Sequence, residues 1–262
     1  MPASYKIYAK SLHDHFKVFY ANWPPGENIK LGDYGILNGD VFIPEGNITE
    51  QFNLQFNRRD DPTKDNYNFK STDSVSITFL PKGSYTQTGM PSVKASLKID
   101  FSNTASVFFN AAGIKHSLIE GMDKLGKTIL GMFETQKWPA SRFVVTRLVQ
   151  ADSATIIISG KSGASMTLDA ESDAIPNINL ADASIKLAVS VDSGIEFNIV
   201  CAEGYYPLFG LSGIKAKHWY LPGSANNWQP KLMTVYKNMD YIKTEIANKK
   251  TTYDEFYFGD IE

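Results

Sequence analysis

Strict alternation of apolar and polar residues is the feature that most constrains the fold of this chain. It runs through residues 93–101 and again through 185–199. Such alternation predicts strands with one apolar and one polar face, and the Asp192-Ser193-Gly194 interruption predicts a hairpin over 184–201. The apolar positions are Val93, Leu97, Ile99 and Phe101 in the first stretch and Ile185, Leu187, Val189, Ile195, Phe197 and Ile199 in the second.

Most of the remaining chain also has the patterns of strands. Further strands are predicted over 105–112, 142–150, 154–159 and 164–170. Residues 17–56 are predicted to form short strands separated by turns, because proline, glycine and asparagine recur there. These turns are Pro24-Pro25-Gly26, Asn38-Gly39 and Pro44-Glu45-Gly46. Residues 57–69 are polar and charged, which favours an exposed loop.

Helical spacing is clearest in residues 114–136. Apolar residues recur there at steps of three and four, which predicts one stripe of an amphipathic helix. The stripe consists of Ile114, Leu118, Met122, Leu125, Ile129 and Phe133. Ser117 with Glu120 has the spacing of a capping box, which would move the helix start. Residues 230–247 predict a second helix, and residues 1–16 a weaker one. The fold class expected is therefore α+β: a twisted, mostly antiparallel sheet with amphipathic helices packed on it.

Composition restricts the classes of partner. The net charge of −2 gives no general attraction to nucleic acid, so no nucleic-acid partner is expected. The single cysteine, Cys201, cannot form a disulfide framework or a cysteine-based zinc site within one chain. No apolar run has the length of a membrane-spanning helix, and the first residues do not resemble a signal peptide. The protein is therefore expected to be cytoplasmic.

No segment predicts a catalytic or cofactor site. Gly160-Lys161-Ser162 resembles the end of a phosphate-binding loop, but the motif requires a glycine where Thr155 stands. We interpret the segment as a turn between strands. His13 and His15 have no neighbouring cluster that would complete a metal shell. The sequence therefore predicts no cofactor, no metal and no enzymatic activity.

The alternating strands allow two interpretations. Strands with one apolar face build sandwiches and half-exposed sheets in many unrelated proteins. Strands of about 9–11 residues also span a bilayer when tilted, with apolar side chains toward lipid and polar ones toward a water-filled lumen. The apolar faces of 93–101 and 185–199 are thus candidate membrane-facing surfaces.

The order of these elements resembles the pore-forming domain of the gasdermins, especially their short bacterial members. An alternating strand pair over 93–112 is followed by the helix 114–136, a strand containing Phe143-Val144-Val145, two further strands and the late hairpin. The resemblance covers roughly residues 28–215. It implies that two amphipathic hairpin regions leave a compact monomer and join a large β-barrel pore, a homo-oligomer in the active state. The N-terminal cysteine of many bacterial members is absent from residues 1–16.

The resemblance also implies a short C-terminal inhibitory segment that an activating protease removes. Residues 249–262 fit that role beside a β-rich domain of residues 1–248. Their aromatic residues Tyr253, Phe256, Tyr257 and Phe258 would dock on the sheet or on the 230–247 helix. Loss of the four acids in 251–262 leaves 26 basic residues against 24 acidic ones, which favours binding to acidic membrane lipids. Cleavage is expected near Lys243, Lys249 and Lys250.

The leading hypothesis is therefore a membrane-permeabilising pore-forming effector, autoinhibited as a soluble monomer and released by proteolysis of its C-terminal tail. On activation it would move from the cytoplasm to the membrane. The alternative is a non-lytic β-sandwich binding module that recognises a protein or a small ligand. That module would use the tryptophan- and tyrosine-rich region at 205–230.

Overall fold

The computed structural model describes residues 4–80, 95–170, 187–216 and 256–261. Three helices and fourteen strands lie within these ranges. The helices are α1 (Ser4–Phe16), α2 (Ile48–Phe52) and α3 (Met122–Glu134). The strands are β1 (Tyr20–Ala21), β2 (Asp33–Asn38), β3 (Val41–Asn47), β4 (Asn57–Lys70), β5 (Val75–Leu80), β6 (Ala95–Phe101), β7 (Val107–Glu120), β8 (Phe143–Ala151), β9 (Ser153–Ser159), β10 (Ala164–Ala170), β11 (Leu187–Ser193), β12 (Ile195–Ala202), β13 (Tyr205–Ala216) and β14 (Phe256–Asp260).

These strands form two antiparallel sheets. The large sheet has ten strands, with the central order β1-β13-β8-β7-β9-β12. Strand β14 adds to β13, β2 joins β8 and carries β3, and β4 runs along β7. The small sheet has the order β11-β10-β6-β5. The fold is thus mostly antiparallel β structure with few helices, as the alternation predicted.

Burial of the strands follows their sequences. Strand β9 is buried at every position, and its Ile156-Ile157-Ile158 run is apolar on both faces. Strand β10 alternates between buried and half-exposed residues, with Met166 and Leu168 fully buried. A continuous apolar run fits the interior of a covered sheet, whereas alternation fits a sheet with one face toward water. The large sheet therefore carries the main core.

Helix α3 packs against the large sheet. Leu125, Gly126 and Ile129 are its buried residues, and Leu125 and Ile129 join a core that also contains Trp138 and Phe209. The sequence did not reveal the short helix α2. There the Asn47 side chain accepts a hydrogen bond from the Thr49 backbone N–H at 3.0 Å, which caps the start of that helix.

The prediction of an exposed loop over 57–69 was wrong. Residues 57–70 form β4, which pairs with β7 from Asn57↔Glu120 to Lys70↔Phe108. Its residues through Asn66 are all exposed, and the register shifts between Asp61 and Asp65. Charged residues, a proline and a bulge are what edge strands carry to discourage pairing with other chains. The polar composition therefore marks an edge strand.

The predicted helix over 114–136 begins too early. Residues through Glu120 belong to β7, and the helix occupies Met122–Glu134. The reason is that a step of four residues returns to the same face of a strand as well as of a helix, so Ile114 and Leu118 fit both. Ser117 is not a cap, because its hydroxyl donates to Asp60 Oδ1 at 2.5 Å.

Two turn predictions were also wrong. Pro44-Glu45-Gly46 lies inside β3, opposite a register shift between Tyr34 and Gly35. The predicted hairpin over 184–201 does turn at Gly194, but its two strands do not pair with each other. Strand β11 pairs with β10 in the small sheet, and β12 pairs with β9 in the large one. The predicted helix over 230–247 lies outside the described residues.

Candidate functional site

Four long segments pass from the large sheet into the small one. Strand β4 continues into β5, β6 into β7, β9 into β10, and β11 into β12. The large sheet places the inner halves in the order β4-β7-β9-β12, and the small sheet places the outer halves in the matching order β5-β6-β10-β11. The strands therefore form two interrupted hairpins. The first comprises 57–80 and 95–120, and the second comprises 153–170 and 187–202.

Each segment bends at the same level, which we call the junction. One residue in each bend has a left-handed backbone: φ is 58° at Asp73, 57° at Ala105, 74° at Gly163 and 71° at Gly194. Glycine adopts this conformation freely, whereas alanine and aspartate pay a conformational cost. The bends at Asp73 and Ala105 therefore store backbone strain in the first interrupted hairpin.

Buried serines connect the bends. The Ser106 hydroxyl donates to Ser74 Oγ at 2.9 Å, and the Ser106 backbone N–H donates to Ser159 Oγ at 2.9 Å. The Ser159 hydroxyl donates to the Asn103 carbonyl at 2.7 Å. All three serines are at most 6% exposed. These side chains satisfy polar groups where the strand ladder is broken, so they stabilise the bent form.

The small sheet has two chemically different faces. One face is apolar and buried, with Leu97, Ile99 and Phe101 at most 1% exposed. The other is polar and half-exposed, where the Ser96 hydroxyl donates to Asp169 Oδ1 at 2.7 Å. The two edge strands of the small sheet also expose apolar side chains: Phe79 on β5, and Val189 and Val191 on β11.

The predicted membrane-facing residues are divided between the two sheets. Leu97, Ile99, Phe101 and Leu187 are buried in the small sheet, whereas Val189 is 44% exposed. Ile195, Phe197 and Ile199 lie half-buried in β12 of the large sheet. Val93 and Ile185 lie outside the described residues. The junction thus divides the second predicted stretch, 185–199, between the small sheet and the large sheet.

The end of the chain forms an additional strand of the large sheet. Strand β14 pairs antiparallel with β13, from Ser212↔Asp260 to Ala216↔Phe256. Phe256 is 3% exposed, and its ring centroid lies 5.4 Å from that of Phe133 in α3. Phe258 is half-buried, and Tyr257 is 36% exposed. Two of the predicted tail aromatics therefore contact the sheet edge and α3. Tyr253, Lys243, Lys249 and Lys250 lie outside the described residues.

Asp260 fixes the last part of the tail by polar contacts. Its carboxylate forms an ion pair with Arg147 of β8 and accepts a hydrogen bond from the Ser212 hydroxyl at 2.8 Å. Ser212 is fully buried and shares a 2.8 Å hydrogen bond with the Thr146 hydroxyl. The Lys215 ammonium donates to the Asp260 carbonyl. A carboxylate is therefore bound by a guanidinium and by a hydroxyl that is itself held in place.

A cleft of about 830 Å³ opens beside the tail, between β4 and β14. Asp60, His116, Arg147 and Asp260 give it charges of both signs. His116 Nε2 lies 3.2 Å from the Tyr67 hydroxyl. Burial lowers the pKa of His116, while Asp65 and Asp61 oppose that shift. The described part of the chain contains no group of three His, Cys, Asp or Glu side chains that would hold a metal ion.

Helix α1 braces both interrupted hairpins, which the sequence did not predict. The ring centroids of His15 and Phe69 in β4 are 5.2 Å apart, and those of Phe16 and Phe109 in β7 are 5.8 Å apart. The Ser4 hydroxyl donates to Glu196 of β12 at 2.5 Å. Aromatic residues at helical spacing in 1–16 were the only sequence signal for this role, because the strands that α1 contacts are distant in the chain.

The sequence contained a partial signal for the bends at the junction. Gly163 and Gly194 are residues that readily adopt a left-handed backbone, whereas nothing in the sequence marks Ala105.

Comparisons with known proteins add little. No protein-family model matches the sequence, and no curated protein matches it. Among solved structures, the cryo-EM structure of the gasdermin A3 membrane pore matches 65% of this chain and 69% of that chain, with 10% identity and a TM-score of 0.23. That similarity is too low to establish a shared fold. Within the described residues, no helix has the length and hydropathy needed to cross a membrane.

Proposed function

We propose that the protein permeabilises membranes by inserting its two interrupted hairpins, and that its C-terminal tail keeps it inactive until a protease cuts nearby. The observation that supports this proposal is the continuity of four strands through the junction in one common order. Within the described residues each outer strand has 6 or 7 residues, and a membrane-crossing strand needs about 9–11. Straightening at the junction would join outer and inner halves into strands of sufficient length.

The two faces of the small sheet suit such insertion. Its apolar face, with Leu97, Ile99 and Leu168, matches the lipid-facing side of a membrane strand, and its face of serine, threonine, lysine and aspartate matches a water-filled lumen. Inserted strands must have every edge paired, because lipid cannot satisfy backbone polar groups. Two hairpins from one chain do not enclose a lumen, so the active state is a homo-oligomer in contact with membrane lipids.

The tail opposes insertion through its contacts with the large sheet and with α3. It covers the edge of β13 and contacts α3, through Phe256, Phe258 and Asp260. Burial of one large side chain contributes about 1.5–3 kcal/mol, but ordering each residue costs about 1–2 kcal/mol. The net hold is modest, as a releasable segment requires. Cleavage near Lys243, Lys249 or Lys250 removes the covalent link, and the protein then moves from the cytoplasm to the membrane. It needs no cofactor and performs no catalysis.

Dye release from liposomes tests this function. The full chain is prepared with a specific protease site inserted after Lys250 and is compared before and after cutting. We expect release only after cutting, and more from acidic than from neutral lipid, since the cut body has gained positive charge. The same protease added to the unmodified chain is the matched control. A cut protein that stays monomeric and releases no dye would instead favour the binding-module hypothesis, whose region at 205–230 lies mostly outside the described residues.

A further inference from the structure

The tail lies in a groove that contacts its backbone and its alternate side chains. We define the tail groove as the edge of β13 over 212–216 with which β14 pairs, the facing side of α3, and Arg147. Five residue pairs join β13 and β14, and the Ile261 backbone N–H donates to the Leu211 carbonyl at 3.0 Å. Such main-chain pairing along a sheet edge is a general way of binding extended peptides, with specificity supplied by pockets for alternate side chains.

Three of those pockets lie at alternate tail positions. Phe256 packs on Phe133, in the first pocket. Phe258 lies over α3 at Gly126, where an added Cβ would come within 3.2 Å of the Phe258 Cβ. Asp260 fills the third pocket, formed by Arg147 and the buried Ser212. The intervening Tyr257 is 36% exposed. The groove therefore holds an aromatic, a second aromatic and an acidic side chain at every second position.

We propose that the tail groove is a peptide-recognition site that binds a separate peptide of this chemistry, namely two aromatic residues two apart followed by an acid two positions later. This inference goes beyond the proposed function, because it concerns binding and requires no membrane activity. The first ligand is the severed tail itself. In the intact chain only 39 residues, 217–255, separate the paired strands, and such a tether gives an effective concentration on the order of millimolar.

A free peptide at micromolar concentration therefore cannot displace the attached tail, but it can fill the groove after the link is cut. The severed tail remains a competitor for its own site until it is diluted or degraded. Release by one cut is consequently reversible, and any other peptide with the same pattern of side chains also closes the groove.

Fluorescence polarisation tests the inference with a labelled peptide of residues 251–262. The protein is the full chain with a protease site inserted after Lys250, measured uncut and after cutting. We expect saturable binding by the cut protein and none by the uncut one. Competing peptides with Phe258→Asp or Asp260→Lys should bind at least about tenfold more weakly, the loss that corresponds to one large anchor. A Tyr257→Ser peptide is the matched control and should compete as well as the native sequence.

Two further measurements make every outcome decisive. If the cut tail does not exchange, the uncut variant Phe256→Asp/Phe258→Asp provides a groove from which its own tail is displaced, and it should bind the labelled peptide. An Arg147→Glu protein should prefer the Asp260→Lys peptide over the native one. Saturable binding of equal strength by cut and uncut protein, equal competition by the Phe258 and Tyr257 peptides, or no binding by either vacated groove would overturn the inference. None of these outcomes depends on liposome leakage.

Discussion

The inner and outer halves of the same hairpins are held in different ways. In the large sheet β9 is buried at every position, and α1 and α3 pack on that sheet. In the small sheet β10 alternates between buried and half-exposed residues, and β11 exposes every residue after Leu187. The chain is continuous between these halves, and Phe108 of β7 and Ile157 of β9 also join the core cluster beneath the small sheet. Because the small sheet has more exposed positions than the large one, we expect the outer halves to open at the junction before the inner halves unfold.

The largest expected effect comes from a matched pair of phenylalanines on either side of the junction. Phe109 in β7 and Phe101 in β6 are 0% and 1% exposed. Phe109→Ala should lower the free energy of unfolding by about 3–5 kcal/mol, because a fully buried ring leaves a cavity. Phe101→Ala should lower it less, since the small sheet can open as a separate unit. Chemical denaturation measures the first effect, and amide hydrogen exchange over 95–101 measures local opening. Equal losses with uniform exchange would mean one cooperative unit.

Much of the strand structure was predictable because alternation is a local property. The apolar face of β6 and the buried run of β9 are examples whose residues specify their environment directly. Strand β4 was not predictable, since its charged residues form a strand only through pairing with β7. The partner of β11 was likewise hidden, because Gly194 permits both a hairpin and a change of sheet. Pairing is non-local, and a single sequence carries no direct signal of it.

The candidate site was also predictable only in its local features. The aromatic character of Phe256 and Phe258 predicted that the tail would dock, but its position on β13 depends on α3 and on Arg147, which are distant in sequence. Ala105 is the clearest failure. Its backbone is left-handed, with φ of 57°. The bend imposes this conformation, for which alanine has no intrinsic preference. Strain of this kind follows from tertiary structure.

The second prediction separates folding from membrane insertion. Val189 is 44% exposed, so Val189→Lys should change folding stability by no more than about 0.5 kcal/mol. If the residue faces lipid in the pore, the same charge costs about 2–4 kcal/mol at the bilayer midplane, and dye release by the cut protein should fall sharply. Ser190→Lys, at the neighbouring exposed position, is the control and should leave dye release nearly unchanged. Equal effects of the two lysines would refute the assignment of faces.

The third prediction concerns the bends themselves. Ala105→Gly should stabilise the bent form by roughly 0.5–1 kcal/mol, because glycine adopts the left-handed conformation without strain. Gly163→Ala should destabilise it by a similar amount. An added Cβ at Gly163 meets no heavy atom within 4 Å, so only the φ of 74° is tested. Ala105→Gly should raise the midpoint of thermal unfolding and slow dye release, whereas Gly163→Ala should lower the midpoint and speed dye release. Identical shifts would show that junction strain does not control opening.

The smallest expected effect is a pH dependence confined to the large sheet. Burial lowers the pKa of His116 below its ordinary value of about 6.5, with a further lowering by Arg147, against the opposing charges of Asp65 and Asp61. The unfolded chain therefore binds the proton more readily, and stability should fall as the pH drops below about 6.5 toward the folded-state pKa. Hydrogen exchange between pH 7.5 and 5.5 should show weakening over 107–120 but not over 95–101. His116→Gln should remove this difference, whereas Tyr67→Phe should retain it because burial is the main cause. If the His116→Gln variant still shows faster hydrogen exchange over 107–120 at the lower pH, another titrating group causes the effect.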